Sequence, residues 1–122
     1  MSNKNLFITG NTDLLILSIL KTDDTYAYDI VKQITALSEG KLVLSNPTIY
    51  TAVYKLLNKG CISEYSRQVG KKRTRVYYHL EEKGAVYLDD LMKNYINTTQ
   101  GTNRVLRKLY HKGEDKFREC DL

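Results

Sequence analysis

The sequence predicts a mainly α-helical fold carrying one small β-hairpin. Three observations predict it. Apolar residues recur at helical spacing in three segments behind a first one that is apolar on nearly every side, two alternating stretches flank Gly70, and no repeat, low-complexity block or Pro/Gly linker interrupts the 122 residues. At this length a chain is one domain that buries a modest core without metal or disulfide support.

The first helix is expected over about residues 11–20, with Asn11 or Thr12 as its cap and apolar side chains on nearly every side of Leu14 to Leu20. Such a helix needs cover on more than one face, which raises the expectation of a partner subunit. Asp23-Asp24-Thr25 offers the next cap, and Ala27, Ile30, Val31, Ile34 and Leu37 follow at helical spacing until Ser38-Glu39-Gly40. A third helix starts at Ser45-Asn46-Pro47, where Asn46 is read as the capping residue and Pro47 suits the first turn. Ile49, Ala52, Val53, Leu56 and Leu57 form its apolar stripe, and Thr48, Tyr50, Thr51, Tyr54 and Lys55 form a polar face without an acid. Lys59-Gly60 closes it.

Cys61 to Ser66 and Thr74 to Leu80 read as two strands, with Val76, Tyr78 and Leu80 facing inward and Gly70 at the turn. A long helical pattern then runs from Glu81 to about Tyr110, where Gly101 is expected to kink or break it. The tail from His111 to Leu122 is charged and expected to fray. Residues 1–80 thus form one region and residues 81–122 a C-terminal helix and tail.

Charge is unevenly spread. Residues 41–80 hold eight Lys and Arg against one acid, Glu64, in a chain whose total is +5, so the rest sums to −2. The densest stretch is Arg67 to Arg75, which implies a polyanionic partner. Cys61 and Cys120 lie far apart without a metal-ligand pattern and are expected as free thiols. The longest apolar run is far short of the roughly 20 residues a membrane span needs, and the first five residues do not resemble a signal peptide, so a cytoplasmic protein without a membrane partner is expected. His79 and His111 have no neighbours suggesting a triad or metal site. No phosphate-binding glycine loop, paired acids or activated nucleophile is present, so no catalytic residue, cofactor or metal is assigned.

Three helices followed by a hairpin is the layout of a winged helix-turn-helix domain, in which the third helix enters the major groove and the hairpin reaches the flanking backbone or minor groove. The stretch Asn46 to Ile62 resembles the recognition helix of PadR-type transcriptional regulators, with its T-[LI]-Y-x-x-[LF]-x-x-L-x-x-x-G-x-[IL] pattern. Leu14 to Leu17, Tyr26 to Ile30 and Arg73 to Gly84 are similar to further family segments, in the same order, and together they cover about residues 12–95. Glu81 stands where the family usually has a capping threonine, Asp29 replaces a common Gly or Glu, and no Trp is present to line the drug pocket of the multidrug-binding branch.

The resemblance implies a homodimer whose long last helix packs against the first and last helices of its mate, and repression at a roughly palindromic operator, relieved by a small effector or another signal. On double-stranded DNA, Asn46, Thr48, Tyr50, Thr51 and Lys55 are assigned to the third helix's contacts, and Lys71, Lys72, Arg73 and Arg75 to those of the wing. Leu14, Leu15, Leu17, Leu88, Leu91, Met92, Tyr95 and Ile96 are assigned to the dimer interface, where an effector cavity is the alternative to a plain core. A winged-helix module binding an acidic protein partner is the competing function.

Overall fold

The computed structural model describes residues 4–110, with side chains described from residue 11 onward. The elements are α1 (Lys4–Thr22), α2 (Ala27–Leu37), α3 (Asn46–Asn58), β1 (Ile62–Gly70), β2 (Arg73–Leu80) and α4 (Glu82–Tyr110). A boundary between Asp89 and Asp90 divides the chain into two compact units. The mainly helical class with a two-stranded antiparallel sheet is as expected.

The first unit is built around α1 to α3. Ile16 and Leu17 of α1, Ile30 of α2, and Ile49 and Leu56 of α3 are completely buried, and Leu44, Cys61, Ile62, Tyr78 and Leu88 extend the same core. Each large aliphatic side chain withdrawn from water contributes about 1.5–3 kcal/mol before the entropy of ordering is counted. The all-round apolar character of α1 is therefore largely satisfied within the chain. Leu14 and Leu17, assigned to the dimer interface, are buried in the chain's own core, as is Leu88, which is only 4% exposed. Of the α1 leucines assigned to a dimer, only Leu15 is half-buried and left facing a groove.

Several local expectations are corrected. Helix α1 starts before Asn11 and Thr12, which lie in its interior; Thr12 is buried there. Tyr26 is the residue before α2 and its side chain makes no capping bond. Thr25, one position earlier, instead donates its hydroxyl to Asp29 Oδ2 at 2.7 Å, and Gln33 Nε2 donates to the same oxygen at 2.7 Å. Leu37, expected on the apolar stripe, is 76% exposed and borders a groove with Leu15, Ile19 and Ile34. The α3 cap is Ser45, whose Oγ accepts from the Thr48 amide at 3.2 Å, so Asn46 is already the first helical residue.

At its other end α3 stops as expected, with Lys59 at the C-cap and Gly60 at φ +74, a conformation open to glycine at little cost. The second unit consists of α4 beyond Asp89. The helix passes Gly101 without interruption, since one glycine costs about 1 kcal/mol and 29 residues of helix absorb it. Met92, Tyr95 and Ile96 are exposed at 39%, 42% and 47%, and Leu91 is half-buried. The expectation for the tail after Tyr110 and the Cys120 thiol fall outside the described residues. Cys61 is a free, buried thiol.

Candidate nucleic-acid interface

Pro47 and the Ser45 cap fix where α3 begins. The Ser45 and Thr48 hydroxyls lie 2.9 Å apart, so Thr48 completes the cap as well as facing outward. With Ile49, Ala52, Val53 and Leu56 turned into the core, the helical period leaves Pro47, Tyr50, Thr51 and Tyr54 on the solvent side. Tyr50 is 56% and Tyr54 70% exposed, while Asn46, Thr51 and Lys55 are also exposed. No acidic residue occupies the first turn, so the positive end of the helix dipole is not offset there.

Thr48, Thr51 and Lys55 lie close together. They line one side of a cleft of about 400 Å³ whose other wall includes Thr12 and Asp13 of α1. Asp13 Oδ2 accepts from the Tyr87 hydroxyl at 3.2 Å, which anchors the first turns of α4 to α1. Burial, then the Asp13 charge, pushes the Tyr87 hydroxyl up from its ordinary value.

The wing is the β1–β2 hairpin. Its pairing runs from Ile62 opposite Leu80 to Gly70 opposite Arg73, leaving Lys71 and Lys72 as a two-residue tip. An irregularity between Gln68 and Gly70 places Val69 out of register, and Gln68 Nε2 donates to the Gly70 carbonyl at 3.0 Å. Lys71, Lys72 and Arg73 are all exposed. The strands are longer than expected, reaching nearly to the tip, and Val76 is 44% exposed because this outer half of the hairpin extends past the core; Tyr78 is buried and Leu80 half-buried.

One face of the hairpin carries cross-strand pairs Ser63 with His79, Tyr65 with Tyr77 and Arg67 with Arg75. The α1–α2 connection docks on this face. Tyr78 N donates to the Thr25 carbonyl at 2.8 Å as a third-strand bridge, and Asp24 accepts from Tyr65 Oη and from His79 Nδ1, each at 2.8 Å. The hydrogen bond and charge of Asp24 raise the His79 imidazole above its ordinary value. For Asp24 itself burial pushes upward, but the bonds from His79 and Tyr65 outweigh it and hold the carboxyl below the usual range.

Both strand arginines lie over aromatic rings. Arg75 lies over the Tyr26 ring at 4.2 Å and Arg67 over Tyr77 at 5.1 Å. Arg75 is half-buried and set back from the tip, unlike Lys71, Lys72 and Arg73. Two features escaped the sequence reading. Tyr54, the most exposed aromatic of α3, stands on the polar face at i+4 from Tyr50, a relation the sequence spacing carries. The Asp24, Tyr65 and His79 cluster joins segments 41 and 55 residues apart and has no local signature. Among the described residues no group of His, Cys, Asp and Glu could hold a metal, and no helix is long and apolar enough to cross a membrane.

Three helices, a two-stranded wing and a bridge from the α1–α2 connection define a DNA-binding winged-helix protein, extended here by a long C-terminal helix. The model of the PadR-like family of transcriptional regulators matches residues 16–90, and the chain belongs to that family. Transcriptional regulator YqjI of Escherichia coli (strain K12) is 31% identical over 87 residues, 71% of this chain, which spans 40% of the length of that regulator. Among solved structures, a transcriptional regulator from Clostridium thermocellum aligns with a TM-score of 0.75 at 28% identity, covering 80% of this chain and 95% of its own. A PadR family transcription regulator from Clostridium difficile R20291 aligns at 0.68 and 29% identity, covering 79% and 98%.

Proposed function

We propose that this transcriptional regulator acts as a homodimeric repressor, gripping a two-fold operator with α3 in the major groove and the wing on the flanking backbone or minor groove. The observation that carries the reading is an acid-free, exposed α3 face combined with three exposed cations at the tip of a braced wing. Lys71, Lys72 and Arg73 neutralise phosphates, the Tyr50 hydroxyl and Lys55 fix the register of α3 on the backbone, and Asn46 and Thr51 reach base edges. Thr48, engaged with Ser45, contributes through the helix end it caps. Arg75 acts from behind, holding the wing.

Dimerisation is supported by the exposed row Met92, Tyr95 and Ile96 on α4. It is supported separately by a largely apolar groove of about 330 Å³ between α1 and α2, which includes Leu15, Ile19, Ile34 and Leu37. Both are surfaces that a second copy would cover. Two copies related by a dyad place two α3 helices on half-sites about one helical turn apart, or a small multiple of it. Release of the operator follows a signal, either a small effector or another cellular cue.

The test is competition binding of the purified chain to a promoter duplex against scrambled duplex, alongside sedimentation. Preference for one sequence by a dimer is the expected result. Salt-sensitive binding that ignores DNA sequence would instead fit an acidic protein partner.

A further inference from the structure

Resting on the DNA-binding reading above, we infer that the operator half-site is A·T-rich and that α3 reads it through thymine methyl groups packed on Pro47, Tyr50, Thr51 and Tyr54. These four residues stand at i, i+3, i+4 and i+7, the spacing of an apolar stripe, yet they lie on the solvent side of the helix, opposite the buried stripe of Ile49, Ala52, Val53 and Leu56. Tyr54 at 70% and Tyr50 at 56% are both well exposed and stand one helical turn apart on this face.

What is absent from this helix matters equally. Guanine is read most often by a bidentate Arg or Lys, and α3 contains no Arg, its one Lys being Lys55 at the edge beside Asp13 and Lys59. Neither Asp nor Glu is present to accept from cytosine N4. The groups that are present, a proline ring, a threonine methyl and two phenol rings, match the thymine C5 methyl. Asn46, exposed at the first helical position, matches the N6 and N7 edge of adenine. The wing agrees independently. Lys71, Lys72 and Arg73 stand on a narrow two-residue tip, and cations of this kind gain most in the narrow, strongly negative minor groove of A-tracts.

The experiment selects duplexes from a random pool with the purified full-length chain, then replaces the thymines of the selected half-site with deoxyuridine. That exchange removes the methyl and leaves base pairing and the minor groove intact. The expected result is an A·T-rich half-site whose affinity falls about fourfold for each contacted methyl removed, the cost of exposing one such group. In Tyr54→Ala the penalty at the thymine facing Tyr54 disappears, and Tyr54→Phe restores it. A selected site read through G·C pairs, or an A·T-rich site indifferent to uracil, overturns the inference while leaving the regulator reading in place. Recovery of no preferred sequence overturns both.

Discussion

Gly84 sits directly against the backbone of Cys61. A Cβ at this position would overlap the Cys61 carbonyl oxygen and crowd Leu80 Cδ1, and the same carbonyl already accepts from the Glu81 amide at 3.0 Å. The first turn of α4 thereby locks onto the junction of α3 and β1, the point that sets the wing beside the recognition helix. This is a physical reason for the glycine that ends the Arg73 to Gly84 segment.

Gly84→Ala should consequently destabilise the chain by about 3 kcal/mol or more, since the obstacle is backbone and cannot move aside as a side chain would. Urea unfolding measures it. A loss below about 1 kcal/mol, no more than an ordinary surface change, would contradict the close approach.

The Ser45 cap yields a paired comparison. Ser45→Ala should cost about 1 kcal/mol of stability, while Asn46→Ala should cost little, because the Asn46 side chain is exposed and caps nothing. Equal losses in the two variants by chemical denaturation would place the cap elsewhere.

Asp24 and His79 make stability depend on pH in a defined direction. The His79 imidazole lies above its ordinary value through its bond to Asp24, so its contribution is complete below about 6.5 and fades as pH rises through the raised value. The Asp24 carboxyl lies below its ordinary value, so its contribution holds above about 3.9 and is lost as pH falls through the lowered one. The difference in stability between the wild type and Asp24→Asn should therefore be largest between those two limits and shrink on the alkaline side. A difference unchanged from about pH 5 to pH 9 would show that the ion pair contributes nothing.

Arg75 separates holding the wing from touching DNA. Its guanidinium lies 4.2 Å over Tyr26, so Arg75→Ala should lower stability by about 0.5–1 kcal/mol and leave the salt dependence of DNA binding nearly unchanged. Equilibrium unfolding and a salt titration of the same variant check both halves. A flattened salt slope without loss of stability would return Arg75 to the phosphate contacts.

Much of this was legible in the sequence, for reasons that differ by residue. The α3 stripe from Ile49 to Leu56 is amphipathic and bounded by Pro47 and Gly60, so period and punctuation agree, and its solvent face follows at once. The wing showed through the cations flanking Gly70. The role of α1 did not, because a helix apolar on all sides looks the same whether its own core or a partner covers it; Leu14 and Leu17 went to the core. Ser45 and Asn46 are both good capping residues one position apart, and only backbone geometry chooses between them. The Arg75 to Tyr26 stack and the Asp24 cluster are long-range meetings that no local pattern announces.

The central claim is that the tip of the wing and the outer face of α3 grip duplex DNA. Its most direct test is the salt dependence of affinity for one selected operator, measured by fluorescence anisotropy for the wild type and for the Lys71/Lys72/Arg73→Ala variant. The account predicts a steep wild-type slope, corresponding to about 6–10 neutralised phosphates per dimer, and a clearly shallower slope for the variant. Identical slopes in two equally folded proteins would contradict it.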